Sequence, residues 1–585
     1  MPQHHPYQNP DLPIDQRIAG LLSRMTLAEK CAQLVTATGL EEGEPFSAEK
    51  ARRHWKDGVA YINARQRPCG TRAAVRFLNA AQKFLREETR LGIPALGIGE
   101  GLHGFMANEA TSFPQAIALA SAWDPDLHQR VFSATAREMR ARGAHYVLSP
   151  VLDVARDPRW GRTEETYGED PYLISRLGVA AVRGFQGESF TGAPDKVLAT
   201  AKHFSAHGQP EGGTNAAPAN YSERILREEL FAPFEAAVRE GGVGSVMASY
   251  NEINGIPVHI NEWLLRDVLC GEWGFEGFVI SDGWGVDDLY RLHCVAADKA
   301  EAAEKAFTSG VEAELGTCFL HLAEAVEAGR IPESDLDRAV AKVLRVKFIL
   351  GLFEDPYVDE ETAVAVTTSS EHRALALEAA RKAIVLLKNE GDLLPLDLDQ
   401  LGSLAVIGPN AAAVRLGGYS GDPLKPVSIL EGLRQKVADE VEILYAEGCG
   451  LTQAQGTALE LWFTDDVQPA DPDRDAALIA QAVETAEKAD AVLLVLGDNE
   501  QTCREGWSPD HLGDRDSLDL PGRQEELMRA VAATGKPVIL LLVNGRPATI
   551  NFAAQHIPAI LEGWYLGEAA GHAVAEVLFG EANPG

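Results

Sequence analysis

Short apolar runs that stop at polar residues alternate with longer Ala-, Leu- and Glu-rich stretches through the first part of the chain. This alternation predicts parallel strands separated by helices, as in an α/β barrel. The predicted strands with their polar ends cover residues 93–100, 146–153, 197–203, 245–251 and 278–282. Because the carboxyl ends of barrel strands converge on one mouth, the terminal residues are expected to share a pocket. These residues are Glu100, Asp153, Lys202, His203, Tyr250 and Asp282. A single carboxylate after a strand more often caps a helix, but several together favour a site.

The regular alternation breaks at residues 351–370, where a GLFEDPY turn and a Thr/Ser-rich stretch precede a predicted long helix over 371–389. We therefore predict a barrel domain over 1–355, a linker over 356–370 and a second α/β domain over 371–585. Buried strands predicted in that second domain indicate an open sheet and cover residues 404–407, 491–496, 538–543 and 559–566. Its glycine turns, Gly408-Pro409-Asn410 and Gly417-Gly418-Tyr419, resemble a phosphate loop only superficially and match neither the dinucleotide nor the phosphate-loop pattern. No nucleotide and no other cofactor is therefore expected.

Charge and cysteine usage narrow the class of function. Lys and Arg total 53 against 86 Asp and Glu, a formal net charge of −33, which argues against nucleic acid and anionic membranes as partners. The apolar runs are strand-sized, too short for a membrane span. Seven scattered cysteines without a C-x-x-C pair indicate either a reducing compartment or plain buried thiols, and no metal site is expected. Residues 1–13 lack a secretory pattern, so we expect a cytoplasmic protein, or a periplasmic or secreted one if the N-terminus was processed.

Several long, ordered motifs carry a resemblance to a known family. The strand GFVISD (277–282), the pair Lys202-His203 and the block RDPRWGRTEETYGED (156–170) resemble glycoside hydrolase family 3. MTLAEK (25–30), YNEING (250–255) and GDRDSLDLP (513–521) extend the resemblance over nearly the whole chain. It implies a TIM-like (β/α)8 barrel followed by an (α/β)6-sandwich domain. It also implies hydrolysis of terminal β-linked sugars with retention of configuration, and small carbohydrates as partners. The sequence is compatible with a homo-oligomer and does not determine the oligomeric state. A fibronectin-type third domain is common in the family and is not expected within this chain.

Acetal hydrolysis with retention requires one carboxylate to attack the anomeric carbon and one carboxylic acid to protonate the leaving oxygen. Asp282 matches the family nucleophile. The segment DNEQTCREGWSPDHL (498–512) resembles the loop that carries the acid/base, so Glu505 is the candidate for this role and Glu500 its nearest competitor. The alternative is that Glu505 is an ordinary solvated loop carboxylate. If both assignments hold, the site lies between the two domains.

The resemblance also implies a set of sugar-binding residues. Glu100 matches the position that binds the distal ring hydroxyls, and the other candidates are Arg156, Arg162, Lys202, His203, Tyr250, Trp284 and Trp507. The two tryptophans are candidate stacking faces. The alternatives are structural: Arg156 and Arg162 pair with Asp157, Glu164 or Glu165 across a loop, and His203 is a satisfied core histidine.

Two further positions bear on the substrate. Glu100 followed by Leu102-His103-Gly104 is similar to the β-xylosidase branch, whereas many family glucosidases have Asp there, and the longer side chain would reach toward the space of the glucose C6 group. We expect β-D-xylosidase activity, with β-D-glucosidase activity as the alternative. A hypothesis from another class of function is a non-catalytic carbohydrate-binding protein. His207 lies in KHFSAHGQP, which lacks elements of the N-acetylglucosaminidase motif, and is expected to be a loop or binding residue.

Overall fold

The structure is a computed structural model that describes residues 5–40, 42–66, 69–438, 440–508 and 510–584. The predicted domain ranges begin at Met1 and end at Gly585, which both lie outside the described residues. Among the described residues, no helix combines the length and the apolar composition needed to cross a membrane.

The first domain contains a sheet of six parallel strands. In the order of pairing they are β1 (Tyr61–Asn63), β2 (Leu96–Gly99), β3 (Tyr146–Val147), β4 (Leu198–Phe204), β5 (Ser245–Ala248) and β8 (Phe278–Ser281). Two short segments complete the ring, because Thr36 bridges to Tyr61, Val35 to Glu314, and Ala313 to Ile280, all in parallel. The closed ring confirms the predicted TIM-like barrel. A hairpin of β6 (Glu252–Ile253) and β7 (Ile256–Pro257) follows β5.

Helices surround this barrel, and its interior is filled by large side chains. The rings of Tyr61, Tyr146 and Phe278 meet with centroids 5.6–5.8 Å apart, so the barrel is a packed core and its only functional face is the mouth. The helices are α1 (Ile14–Leu22), α2 (Leu27–Ala32), α3 (Ala48–His54), α4 (Thr71–Glu88), α5 (Ala116–Ser121), α6 (Pro125–Ala141), α7 (Pro171–Gln186), α8 (Glu223–Ile225), α9 (Ala232–Arg239), α10 (Gly285–Arg291), α11 (Lys299–Ser309), α12 (Leu322–Glu327) and α13 (Glu333–Ile349).

The second domain is built on a six-stranded sheet. Its strands are β9 (Val385–Asn389), β10 (Ser403–Ile407), β11 (Glu442–Ala446), β12 (Ala491–Gly497), β13 (Val538–Val543) and β14 (Ala559–Glu562), in the spatial order β11-β10-β12-β13-β14-β9. Only β9 is antiparallel to its neighbour. Successive residues of β10 enter different cores, Leu404 and Val406 on one face and Ala405 and Ile407 on the other, as the two-residue repeat of a strand requires.

Helices cover both faces of this sheet, which confirms the predicted sandwich. Side chains of α15 (Ser370–Ala383), α16 (Ile429–Val437) and α21 (Ala570–Leu578) pack on one face, and those of α18 (Pro472–Lys488), α19 (Gln524–Ala532) and α20 (Asn551–His556) on the other. The short helix α17 (Ala458–Trp462) lies in the long β11–β12 connection.

The segment between the two domains is more structured than the linker predicted over 356–370. Helix α14 (Glu360–Thr367) lies within it and contacts α4 and α6 of the barrel. The single helix predicted over 371–389 is wrong, because the helix ends at Ala383 and residues 385–389 form β9. Pairing of β9 with β14 decides the conformation of a Leu-rich stretch whose local propensity is compatible with helix.

Candidate active site

Polar side chains from the carboxyl ends of β2, β3, β4 and β8 meet at the barrel mouth. The Lys202 ammonium lies 2.9 Å from a Glu100 carboxylate oxygen, and His203 Nδ1 lies 2.7 Å from Asp153 Oδ2. The other ring nitrogen, His203 Nε2, lies 3.6 Å from Asp282 Oδ2. Glu100 follows β2, Lys202 and His203 lie in β4, and Asp282 follows β8. The structure therefore brings together the strand-end residues that the sequence pattern singles out.

The guanidinium of Arg162 organises the centre of this cluster. It is fully buried and makes a bidentate ion pair with Glu165, with both N–O distances 2.8 Å. It also donates to His203 Nε2 at 2.9 Å, to His207 Nε2 at 3.2 Å and to Glu505 Oε1 at 3.1 Å. A planar guanidinium presents five donors in a fixed fork. Arg162 thus orients two imidazoles and two carboxylates at once, and is more than the structural pair of the alternative interpretation.

These contacts determine the protonation state of His203. Arg162 can only donate, so Nε2 of His203 is an acceptor and the ring proton is on Nδ1, which donates to Asp153. Burial and the charge of Arg162 hold the pKa of His203 well below its ordinary value, which agrees with a neutral ring. Burial raises the pKa of Asp153 to about 7, but the carboxylate also accepts the backbone N–H groups of His203 and Gly208.

Asp282 carries an available carboxylate oxygen. Its Oδ1 accepts the backbone N–H of Gly283 at 2.7 Å, whereas Oδ2 is buried without a hydrogen-bond partner. Burial raises the pKa of Asp282 to about 7, with a further increase from Glu505, while Arg162 and Lys202 act in the opposite direction. The hydroxyl of Tyr250 beside it donates to the Gly283 carbonyl oxygen at 2.9 Å. An unpartnered oxygen in this position is suited to attack an electrophilic carbon.

The second domain supplies Glu505 to the same mouth. In addition to its contact with Arg162, Glu505 accepts a hydrogen bond from the Tyr419 hydroxyl at 3.3 Å, and Asn215 of the barrel domain lies 3.5 Å from it. The Tyr419 ring lies 5.0 Å from the Lys202 ammonium. Both carboxylates predicted to act in catalysis therefore contact the Arg162–His203 pair, one from each domain.

The arginine-rich block of residues 156–170 also docks the second domain. Gly161 N donates to Asp514 Oδ1 at 2.8 Å, and Gly418 N donates to Glu164 Oε1 at 2.9 Å. The buried guanidinium of Arg546 donates to the Arg159 carbonyl oxygen at 2.8 Å. These buried polar contacts fix the position of the second domain, and with it Glu505, relative to the barrel mouth.

Some of the proposed sugar-binding residues lie outside this cluster. Arg156 forms an exposed ion pair with Glu229, which is none of the three carboxylates expected as its structural partners. Trp507 packs edge-on against Trp462 and under the Arg504 guanidinium, and its indole N–H donates to Asp465. Trp284 is 55 % exposed and lines a cavity of about 240 Å³ beside Glu100. Its free face is available to a ligand at the mouth.

Glu500, the competitor of Glu505, has a structural role. It is fully buried, its Oε1 accepts the backbone N–H of Leu416 at 2.9 Å, and its Oε2 pairs with Arg415 at 3.2 Å. Both oxygens are thus occupied away from the cluster. Glu500 supports the segment that carries Tyr419, whereas Glu505 faces the barrel mouth.

The sequence reasoning missed three members of the site, Tyr419, Glu165 and Asn215. The Gly417-Gly418-Tyr419 turn was considered only as a phosphate loop, and nothing in the sequence alone pairs it with Glu505. Glu165 was considered only as a partner that would make Arg162 structural. In the structure Glu165 pairs with the guanidinium on one side, while Arg162 contacts Glu505 and His203 on the other.

One buried cluster has the composition of a metal site. Asp287, Glu314 and Cys318 place possible ligand atoms within 4.8 Å of one another. However, Lys299 lies 3.1 Å from Asp287, and both Glu314 oxygens accept backbone N–H groups, those of Cys318 and Phe319. The protein thus supplies its own cation and donors to this cluster, which lies outside the catalytic residues.

A barrel mouth with a free carboxylate on a strand end and a second carboxylate held over it is the arrangement of a glycoside hydrolase. Comparison with known families agrees. Residues 26–346 match the glycosyl hydrolase family 3 N-terminal domain and residues 384–585 match its C-terminal domain. The chain belongs to glycoside hydrolase family 3, and it is a glycoside hydrolase.

The proteins similar to this chain include β-xylosidases and β-glucosidases. A β-xylosidase of Formosa agariphila is 40 % identical over 99 % of this chain and 73 % of its own length. A periplasmic β-glucosidase of Salmonella typhimurium is 35 % identical over 97 % of this chain and 73 % of its own length. The solved structure of a β-glucosidase from Erythrobacter marinus superposes with a TM-score of 0.92 at 39 % identity, covering 99 % of this chain and 78 % of that one.

The environment of Asp282 predicts the acidic limb of the pH profile. Its carboxylate must be ionised to act as a nucleophile, and burial raises its pKa to about 7. Activity should therefore fall as the pH drops through about 7, well above the range of an ordinary aspartate. The test is kcat/KM against pH for an aryl β-glycoside whose leaving group needs no protonation. An acidic limb near pH 4 would contradict this account of the site.

Proposed function

We propose that this protein is a retaining, exo-acting β-glycosidase that removes terminal non-reducing β-D-xylose from oligosaccharides or glycosides. The observation that supports this proposal most directly is the convergence of Asp282 and Glu505 on the Arg162–His203 pair. Retaining glycosidases hold their two carboxyl groups about 5–5.5 Å apart, close enough for one to attack carbon while the other protonates the departing oxygen.

In the first step of the proposed mechanism, Asp282 Oδ2 attacks the anomeric carbon and the glycosidic C–O bond breaks. Glu505 gives its proton to the leaving oxygen, so the aglycone departs as a neutral alcohol. In the second step Glu505 removes a proton from water, and the resulting hydroxide displaces Asp282 from the sugar. Two inversions at the same carbon return the original configuration.

The neighbouring charges have defined parts in this scheme. The Arg162 guanidinium lies 3.1 Å from Glu505 Oε1 and holds this carboxylate in position over the barrel mouth. The Glu100–Lys202 pair lies on another side of the mouth and offers a charged acceptor and a charged donor. Such a pair binds adjacent ring hydroxyls with directional hydrogen bonds, which fixes the sugar relative to Asp282.

β-D-Glucosidase activity is the second candidate. The cavity of about 240 Å³ beside Glu100 favours it, because that space could receive a hydroxymethyl group beyond the ring. Glucosidases are also among the similar proteins, so the two sugars have to be separated by measurement. The comparison of kcat/KM for 4-nitrophenyl β-D-xyloside and β-D-glucoside tests the proposal. A preference for the glucoside would replace the proposed function with the second candidate.

Glu100→Asp should shift selectivity toward glucosides. The substitution removes one methylene and keeps the carboxylate, which opens room near C5 of the bound ring. One methylene is worth about 1–3 kcal/mol of discrimination, so the ratio of the two specificity constants should change about 10- to 200-fold. Glu109→Asp is the matched control, because the Glu109 carboxylate lies outside the Arg162 cluster, where it accepts the backbone N–H of Thr71. An unchanged ratio would defeat the assignment of Glu100 to sugar selection.

A further inference from the structure

A large crevice opens at the carboxyl ends of β10, β11 and β12, in the second domain. Its volume is about 690 Å³, and Pro409, Glu447 and Asn499 line it directly after these three strands. In the sheet, β10 lies between β11 and β12. The chain therefore runs from β10 to one of its neighbours and then crosses back to the other. The crevice thus lies at a topological switch point, where open α/β sheets bind their ligands. We call it the switch-point crevice.

The switch-point crevice is separate from the active site. None of its lining residues belongs to the Arg162 cluster described above. Its volume falls within the range of about 300–1,000 Å³ that is typical of small-molecule sites. It is therefore large enough for more than one sugar ring and is not an extension of the cavity beside Glu100.

The charged side chains that line the switch-point crevice are two cations, Arg415 and Arg474, and two carboxylates, Glu447 and Asp471. Arg474 makes two contacts with Glu447, at 2.8 and 2.9 Å, and Arg415 is paired with Glu500 at 3.2 Å. A phosphate group would have to displace a carboxylate from one of these pairs. This balance disfavours anions and leaves a wall of paired charges that can both donate to and accept from a neutral ligand.

The rest of the lining has the chemistry of a saccharide site. Gln453 and Gln455 contribute amide groups and Tyr445 contributes a hydroxyl group. The Asn499 amide is engaged within the protein, because its nitrogen donates to Thr452 Oγ1 and its oxygen accepts the backbone N–H groups of Gln501 and Thr502. The Tyr445 ring is 38 % exposed, which offers an aromatic face to the apolar side of a pyranose. Amides, a hydroxyl group, balanced ion pairs and one ring match a neutral polyhydroxyl compound better than a lipid, a nucleotide or a peptide.

A short chain of contacts connects the switch-point crevice to the proposed acid/base. Arg415 lines the crevice and holds Glu500, whose Oε1 accepts the backbone N–H groups of Leu416 at 2.9 Å and Gly417 at 3.4 Å. Two residues further along, the Tyr419 hydroxyl donates to Glu505. A ligand that shifts the Arg415–Glu500 pair therefore acts on the segment that orients Glu505.

We propose that the switch-point crevice is a second, non-catalytic saccharide site, which binds a neutral oligosaccharide of two or three β-linked sugars and changes the reactivity of Glu505 when occupied. The binding part does not depend on which sugar the active site prefers. The effect on Glu505 rests on the proposed catalytic role of that residue.

Calorimetric titration of the full chain tests the binding part. The Asp282→Ala variant prevents turnover and is titrated with xylotriose and, separately, cellotriose. We expect two binding events per chain with at least one of the two sugars. Adding Arg474→Ala or, independently, Gln455→Ala should remove one event and leave the other. Arg176→Ala, which removes a similar bidentate surface pair with Glu240 on the barrel, should leave both.

A single binding event with both sugars, insensitive to Arg474→Ala and Gln455→Ala, would overturn the proposal. Two variants are used because Gln455 makes no ion pair and its loss leaves the Arg474–Glu447 contact in place. If both events persist in both variants, the second site lies elsewhere and the assignment to this crevice is wrong.

Kinetics test the connection to Glu505. With an aryl glycoside at a saturating concentration, added trisaccharide should change kcat of the otherwise native enzyme at least twofold, and this change should disappear in Arg474→Ala. Competition at the active site raises KM without changing the limiting kcat, which separates the two effects. Two binding events without a change in kcat would contradict the coupling. Normal turnover in a Glu505→Ala enzyme would contradict the proposed function instead.

Discussion

Asp282→Ala is expected to lower kcat by more than about 10³-fold, equivalent to about 4 kcal/mol of activation free energy. The substitution removes the oxygen that forms the bond to the sugar, and no neighbouring carboxylate occupies the same position. Stopped assays with aryl β-xyloside and β-glucoside measure the loss. Asp288→Ala, on the helix that follows the same strand, is the matched control and should keep near-native turnover. A variant of Asp282 that retained a tenth of kcat would disprove the assignment.

The same substitution should not destabilise the fold. A buried carboxylate oxygen without a partner costs free energy, and the raised pKa of Asp282 expresses that cost. Because the pKa in the folded state lies above its value in the unfolded chain, the penalty applies fully above about pH 7 and disappears at low pH. The melting temperature of Asp282→Ala should therefore equal or exceed that of the native protein at pH 8. A loss of activity with a lower melting temperature would point to misfolding instead.

Glu505→Ala is expected to divide substrates by their leaving groups. Alkyl glycosides and oligosaccharides need a proton on the departing oxygen, so their kcat/KM should fall about 10²- to 10⁴-fold. Aryl glycosides with acidic phenols depart without that proton, and their first step should change less than about tenfold. Asp516→Ala, an exposed carboxylate in the same interstrand connection, is the control.

Equal losses on both kinds of substrate would exclude Glu505 as the acid. His207, which also contacts Arg162, would then be the next candidate for the acid/base. Glu500 is a poor substitute in the structure, because its two oxygens hold Arg415 and the backbone of the 416–417 segment.

Much of the barrel site was predictable because strand ends converge by topology. Glu100, Lys202, His203 and Asp282 each end an apolar run, and parallel strands in a ring place those ends together whatever the loops do. The sandwich domain was predictable for a similar reason, since β10, β12 and β13 are nearly continuous apolar runs. Strands β1 and β11 were missed. Each is short, and β11 begins with Glu442 and is only partly buried at the sheet edge.

The failures concern contacts that local patterns do not encode. Arg156 and Arg162 lie six residues apart in one motif, yet one is exposed beside Glu229 and the other is fully buried. The path of the loop alone decides that Arg156 is exposed and Arg162 is buried. Tyr419 reaches Glu505 because two glycines and Glu500 shape a turn in another domain, a relation of tertiary structure. The helix predicted through residue 389 failed for the same reason, because β14 recruits its last residues into a sheet.

Because the two carboxylates proposed to act in catalysis lie in different domains, activity should depend on how the domains are assembled. Asp282 is held by the barrel and Glu505 by the sandwich, and buried polar contacts such as Arg546 to Arg159 and Gly161 to Asp514 join the two. A low concentration of denaturant that loosens this junction should abolish activity while the circular dichroism of the protein is still native. The two domains of this single chain would then behave like two subunits, and activity would report on the contact between them.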